Sequence, residues 1–303
     1  MVFVRMDSNL PTQGPFALAE QAEYARWRDF KMSSYPFNKE RFFVRFSDPI
    51  TPSATERAEA TEIVRCTNFF LYRTTAKTVP GRDIAQGLAR AFGLCRLDSN
   101  PMADDEGLSQ VTVRTGEAKR YIPYTDRPIQ WHTDGYYNAP DRQIRGFLLH
   151  CEQDAAEGGE SRIMDHEIAY ILLRERDPAL VAALFHPEAM TVPANEIDGA
   201  ELRSVRPGPV FSVDPASGAL HMRYTARTRS IVWRDDPDVR AAAQALERLL
   251  DDPASPYVVR HRLEPGEGVV CNNVLHGRGA FRDDAARKRL VWRARSYDRI
   301  AFT

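Results

Sequence analysis

The stretch Arg145–Asp165, RGFLLHCEQDAAEGGESRIMD, decides the fold. Two short apolar runs, GFLLHC and SRIMD, flank an acidic turn that contains Gly158 and Gly159. Runs of this length, bounded by Gly, Asp and Pro, read as β-strands. The same texture continues towards the C-terminus in PVFSV, ALHMRY, SIVW, YVVRHRL, GVVCNNVL and RLVWRARSY. That spacing suits an antiparallel sandwich or barrel. Helical stretches interrupt it at about 165–185 and 236–250. Before Arg145 the chain reads as helical over 16–33, 53–66 and about 83–92, with Ser53 and Glu56 at capping-box spacing. The expected architecture is mainly β with flanking helices, a jelly roll. One domain spans 1–303, with a helical N-terminal part and a lid-like insertion around 186–236. The mouth of such a roll can hold a metal or a small molecule.

Charge and composition narrow the partners. The 303 residues carry 41 Lys and Arg against 42 Asp and Glu, a formal net charge of −1. No basic excess supports nucleic acid as the partner. No apolar run approaches the roughly 18 residues of a membrane helix. The opening MVFVRMDSNLPTQG lacks the apolar core of a secretory signal. A soluble, cytoplasmic protein acting on a small molecule is expected, with no membrane partner. A homo-oligomer is compatible with these features. Cys66, Cys95, Cys151 and Cys271 are scattered and read as reduced thiols. There is no P-loop, dinucleotide fingerprint, nucleophile elbow or H-E-x-x-H helix.

The histidines carry the chemistry. Three open an H-x-[DE] pattern: His132 with Asp134, His150 with Glu152, and His186 with Glu188. His186 ends a helical run and reads as compensating the helix dipole. His150, inside GFLLHC, reads as a hydrogen-bonded core residue. His132 differs, because it follows the extended RPIQW and precedes the aromatic GYY. Residues i and i+2 of a strand project to the same side. One imidazole, one carboxylate and a distant His make the facial triad of non-haem Fe(II) oxygenases. A satisfied surface pair is the alternative for His132 and Asp134. His276, in NNVLHGRGAF, is the candidate distal ligand. Downstream, Arg289 and Arg293 alternate on RKRLVWRAR, where an arginine can hold a dicarboxylate bidentately. Arg287 and Lys288 read as solvated edge charges.

Four blocks make the sequence similar to a known family: YTDRPIQWHTDGYY (124–137), GFLLHCEQDAAEGGES (146–161), LHMRYTARTRSIVW (220–233), and NNVLHGRGAF with RKRLVWR (272–293). It resembles the Fe(II)- and 2-oxoglutarate-dependent dioxygenases of the taurine dioxygenase group, TauD/TfdA, with features like γ-butyrobetaine hydroxylase. The resemblance implies a double-stranded β-helix with iron on His132, Asp134 and His276. It implies 2-oxoglutarate as co-substrate with its distal carboxylate on Arg289, O2 as oxidant, and Ser161 near that carboxylate. Tyr124 and Tyr136 correspond to an aromatic cage for a trimethylammonium or to plain pocket wall. Tyr121 stands where the butyrobetaine enzymes tend to carry Asn, and Arg293 where they tend to be small. Arg293 looks instead like the taurine dioxygenase arrangement, which meets 2-oxoglutarate and an anionic substrate. No Cys/His cluster precedes Tyr121, so the zinc module of the butyrobetaine enzymes is missing. Arg223, Arg227 and Arg229 share a strand face, either as a solvent-facing ridge or with Arg223 reaching the substrate. Asp134 argues against a halogenase, which would vacate the carboxylate position. The expected reaction hydroxylates a C–H of a small anionic or zwitterionic molecule, releasing succinate and CO2. A heteroatom leaving group on that carbon would turn hydroxylation into cleavage. A non-catalytic jelly-roll sensor and a zinc hydrolase with the same triad are the rivals.

Overall fold

A computed structural model describes residues 10–76, 78–116, 120–197 and 200–303. Residues 1–9, and 198–199 of the expected insertion, lie outside the described residues. The chain divides into two compact units.

The unit formed by Tyr35–Gln130, Arg142–Asp165 and Val258–Thr303 is built on alternation. Its larger sheet has six strands, in the order Phe43–Phe46, Phe69–Thr74, Glu267–Cys271, Gly146–Gln153, Leu290–Ser296 and Leu108–Val111. The first pair is parallel and the other pairs are antiparallel. Register places Phe70, Val270, Leu148 and Ala294 in one row. That face packs beneath the helices Ala54–Thr67 and Gly81–Ala91 through Val64, Ile84 and Leu88. Strand alternation sends Phe147, Leu149 and Cys151 to the opposite face, beside Arg295, Arg293 and Val291. There the Phe147 ring lies 4.5 Å from that of His276. His276 belongs to a four-stranded sheet ordered Val259–His261, Ser161–Met164, Leu275–Arg278 and Ile129–His132. The two sheets make the jelly roll.

Half of the larger sheet comes from three strands before Arg145, Phe43–Phe46, Phe69–Thr74 and Leu108–Val111, at positions where no strand is expected. FFLYRT follows its helix with a single Asn68 between them, at φ 60°. The helix itself starts as expected, with Ser53 and Glu56 forming a reciprocal capping box. His150 is the core histidine expected of it. It is buried on the helix-covered face, with Nδ1 3.0 Å from the Tyr72 hydroxyl and the two rings stacked. Gly268 makes room for this pair, since a Cβ there would come 2.4 Å from the Tyr72 hydroxyl.

The other unit comprises Met1–Ser34, Trp131–Asp141 and His166–Tyr257. The helix expected over 165–185 is two helices, His166–Arg176 and Pro178–Leu184. Proline cannot continue a helix but suits a first turn. Asp177 caps the new one by accepting the Ala179 N–H at 2.9 Å. His186 follows this helix, and its Nδ1 accepts the Glu188 N–H at 3.0 Å, so this H-x-E is a turn. The first helix begins at Gln21, later than expected. Phe16 and Ala17 are buried in the preceding turn, their carbonyls taken by the Tyr170 hydroxyl and the Arg174 guanidinium. The segment expected as an insertion forms short sheets: Arg206–Gly208, Met190–Val192 and Val232–Trp233 together, Asn195–Ile197 with Ala200–Arg203, and Phe211–Val213 with Leu220–Met222. Among the described residues no helix is long and apolar enough to cross a membrane.

Burial holds the His150 imidazole at a pKa of about 4, below its ordinary 6.5. The unfolded chain therefore takes up this proton first as pH falls. The stability involved is present above 6.5 and is lost between 6.5 and about 4, up to roughly 3 kcal/mol. Urea unfolding at pH 7, 5.5 and 4.5 should show that loss for the native protein. It should be smaller by that amount for His150→Gln, which retains a polar group for Tyr72.

Candidate active site

His132 is held by its neighbours. The indole of Trp131 is buried and donates to the Leu250 carbonyl at 2.9 Å. Thr133 N–H donates to the Tyr224 carbonyl at 2.9 Å, and its Oγ1 accepts the Tyr224 N–H at 3.1 Å. With Thr133 pinned, His132 and Asp134 project to the opposite side together. Their Nε2 and Oδ1 atoms are 3.5 Å apart. Gly135 then turns the chain at φ +67°, a region that favours glycine.

His276 Nδ1 lies 2.9 Å from the Val274 carbonyl oxygen. A carbonyl only accepts, so Nδ1 carries the hydrogen and Nε2 presents its lone pair. One ligand atom each from His132, Asp134 and His276 lies within 4.8 Å of the other two. His150 and His186 take no part in this group.

A different chemistry surrounds Arg289. It is buried, and its Nη1 has no hydrogen-bond partner among the described residues. It lines a narrow cavity with Ser161, Gly158, Gly159, Cys151 and Val291. Gly158 and Gly159, at φ +71° and +77°, form the turn that carries the chain past it to Ser161. The Cys151 thiol offers no counter-charge, since burial pushes its pKa up to about 12 against the pull of Arg289. Burial also lowers the Arg289 pKa. Four residues along the strand, Arg293 is nearly as buried, with Nη2 3.4 Å from the hydroxyl of the buried Tyr124.

Sequence reading missed Arg278. It shares a strand face with His276, two residues earlier. Its Nη2 donates to the carbonyls of Thr125 and Arg127 at 2.7 Å each, and so fixes the segment that carries Tyr124. Burial, then the neighbouring Arg289 charge, lowers its pKa to about 9. The available signal was its spacing from His276 alone.

Arg223 is not on a solvent-facing ridge, whereas Arg229 is exposed. Its Nε, Nη1 and Nη2 donate to the carbonyls of Tyr136, Met190 and Arg206 at 2.7, 2.8 and 2.7 Å. It acts as a backbone clamp rather than as a guanidinium reaching out to substrate. Tyr136 is half-buried, with its ring edge-on to Tyr137 at 5.2 Å. Tyr121 is exposed.

Two imidazoles and one carboxylate suit Fe(II) better than an all-oxygen site would, and they leave positions for co-substrate and O2. The unpartnered Arg289 nitrogen suits a carboxylate. Residues 35–295 match the family described as Taurine catabolism dioxygenase TauD, TfdA family. The chain belongs to the TauD/TfdA family. A uridine-5'-phosphate dioxygenase from Amycolatopsis sp is 31% identical over 205 residues, 59% of this chain and 70% of that protein. Solved structures share the fold. An asparagine oxygenase matches with TM-score 0.55 at 14% identity, covering 89% of this chain and 91% of its own. An α-ketoglutarate-dependent taurine dioxygenase from Burkholderia xenovorans matches with TM-score 0.56 at 16% identity, covering 84% and 88%. The TauD/TfdA chain is thus an Fe(II)- and 2-oxoglutarate-dependent oxidoreductase that uses O2.

His132→Ala, Asp134→Ala and His276→Ala should each lose bound iron, while His186→Ala keeps it. Iron quantification on purified variants checks this, and full occupancy in the His276 variant would remove it from the triad. Arg289→Ala should cost about 2–5 kcal/mol of 2-oxoglutarate affinity, or roughly 30-fold to several thousand-fold. An exposed arginine would cost about 0–1 kcal/mol. Titration of the Fe(II)/2-oxoglutarate absorption band distinguishes the two.

Proposed function

We propose that the protein hydroxylates a C–H bond of a small anionic substrate, a phosphate-bearing nucleotide first among the candidates, and releases succinate and CO2. The observation that carries the reading is the buried Arg289 guanidinium, which lacks a partner at Nη1 and has a neutral thiol beside it. A jelly roll that only sensed metal, or a zinc hydrolase with the same ligands, gives that charge no purpose.

His132, Asp134 and His276 would hold the iron, which when bound would supply O2 activation coupled to oxidative decarboxylation of 2-oxoglutarate. Residues of the chain supply the rest. The hydrogen bond from His276 Nδ1 to the Val274 carbonyl keeps Nε2 free of a proton. Arg289 and the Ser161 hydroxyl bind the distal carboxylate. Arg293, steadied by Tyr124, meets the second anionic group. Arg278 fixes the Tyr124 segment. A guanidinium beside the Tyr124 hydroxyl disfavours a trimethylammonium there, so a betaine would need its own acid group next to Arg293.

The 31% identical relative is named for uridine 5'-phosphate, which supports a nucleotide over a sulfonate. If the oxidised carbon bears the phosphate ester oxygen, C–OH formation gives a hemiacetal phosphate. It expels phosphate and leaves an aldehyde. None of the four cysteines is joined in a disulfide among the described residues, which fits the cytoplasm as the compartment.

Succinate release can be followed with Fe(II), 2-oxoglutarate and O2, adding uridine 5'-phosphate, uridine, a sulfonate, a betaine or a peptide. Stimulation by the phosphate ester and not by uridine is expected, and released phosphate then reports cleavage. Stimulation by neutral compounds or peptides alone would overturn the reading. Absence of succinate under every condition would favour the sensor.

A further inference from the structure

Two guanidinium groups of one unit, Arg223 and Arg203, lie near each other and the backbone of a third arginine, Arg206, adjoins them; none of the three has an ion-pair partner among the described residues. Arg223 is the central one, and carbonyls occupy its donors. Arg203 lies close enough for its charge to act on Arg223. Its Nη2 donates to the Pro193 carbonyl at 2.9 Å, its carbon Cζ is 5.7 Å from the Tyr137 ring centre, and its Nε is buried without a partner. Arg206 stands on the strand Arg206–Gly208, and its carbonyl accepts from Arg223 Nη2 at 2.7 Å. A Cβ on Gly208 would lie 2.9 Å from Arg223 Nη1, so the Gly208 face of that strand looks at Arg223. Residues 206 and 208 share a face. Val205 and Pro207, on the other face, are exposed. The Arg206 Nε is also buried, and its side chain has no hydrogen-bond partner among the described residues.

Like charges gathered in a partly buried place repel one another, and each costs desolvation as well. A fold that needed only the Arg223 clamp would be served better by neutral side chains at 203 and 206. An anion with several acceptor oxygens would compensate this charge and fill the idle donors, in the fork geometry that suits phosphate. The clamp also ties this cluster to the metal ligands. Arg223 holds the backbones of Arg206 and Tyr136 together, and Tyr136 is two residues past Asp134. An anion seated on Arg203 and Arg206 is thereby fixed relative to the loop that carries His132 and Asp134.

We propose that Arg203 and Arg206 form an anion subsite for the substrate's phosphomonoester, with Arg223 as the positioning residue beneath it. The nucleotide identity of the ligand rests on the reading above; the anion subsite does not. Tyr137, packed against Arg203, closes one side of it.

The test uses Fe(II)-loaded protein, native and with Arg206→Ala, Arg203→Lys and Arg203→Ala/Arg206→Ala. Inorganic phosphate binding is read by calorimetry and uridine 5'-phosphate turnover by succinate. Arg206→Ala removes a side chain without a hydrogen bond, so it should fold at least as stably as the native protein. The expected result for the double variant is loss of phosphate binding and a KM for uridine 5'-phosphate raised at least about 30-fold. Its kcat and its 2-oxoglutarate KM should change by no more than about 3-fold, a split that a merely structural role would not give. Arg203→Lys, which keeps charge but not the fork, should fall between. If phosphate binds the native protein and not the double variant, yet no nucleotide is turned over, the subsite stands and the nucleotide reading falls. Native affinity for phosphate and an unchanged KM in the folded double variant would overturn the subsite.

Discussion

A guanidinium inside a fold must be answered by acceptor oxygens or by negative charge, because burial removes the water that would otherwise solvate it. Arg289 is answered by neither at Nη1. Its surroundings keep it so. Cys151 stays a thiol, the Asp283 carboxylate accepts the Arg289 backbone N–H, and Asp154 is committed to Arg262 at 2.7 Å. The turn at Gly158 and Gly159 brings Ser161 to the cavity without a side chain that would fill it. Each feature makes sense if the missing charge arrives with a dicarboxylate. If 2-oxoglutarate is that dicarboxylate, as proposed, the site would select it by leaving one cation incomplete.

The strand Leu290–Ser296 converts that local demand into a fold-level one. Trp292 and Ala294 face the helices, and Arg293 and Arg295 face the other way. Both faces are buried, so a one-residue slip would put guanidinium groups among Val64, Ile84 and Leu88. Pairing on both edges, to Gly146–Gln153 and to Leu108–Val111, resists that slip. Buried Arg295 and Asp98 pair with each other, and Tyr297 donates to the same carboxylate at 2.6 Å. The arginines of this strand and of the residue just before it thus divide their work: Arg295 has an ion pair with Asp98, and Arg289 has none among the described residues.

How legible this was depends on the range of the interactions involved. Local rules carried far. The Ser53 capping box, the helix over 236–250 and the His132-x-Asp134 spacing all depend on near neighbours. His150 and His186 were separable from metal ligands by context alone, a buried apolar run and a helix end. The N-terminal strands were not legible. FFLYRT has no alternation because both of its faces are covered, and no turn residue beyond Asn68 separates it from its helix. Alternation of 223, 227 and 229 suggested a ridge, yet Arg223 is buried by carbonyls of Tyr136, Met190 and Arg206, as far as 87 positions away in sequence. Nothing in the sequence near Arg223 names those partners.

That failure separates two kinds of buried arginine that look alike in a sequence. Arg223 and Arg278 aim most of their donors at main-chain oxygens, which carry partial charge and hold the guanidinium without neutralising it. Such residues lock loops, and their positive charge stays in place as an electrostatic background. Burial lowers their pKa, to about 10 for Arg223 and about 9 for Arg278, yet both remain cations at neutral pH. Arg289 and Arg206 carry the same charge with donors unspent. Each stands near a carbonyl-bound arginine: Arg289 acts on Arg278 by charge, and Arg206 shares its strand face with the glycine against Arg223. A locked cation beneath an unspent one raises the local positive potential without competing for the ligand's oxygens. In this protein the scaffold arginines therefore do more than hold backbone, because their positive charge makes the neighbouring open donors more attractive to anions.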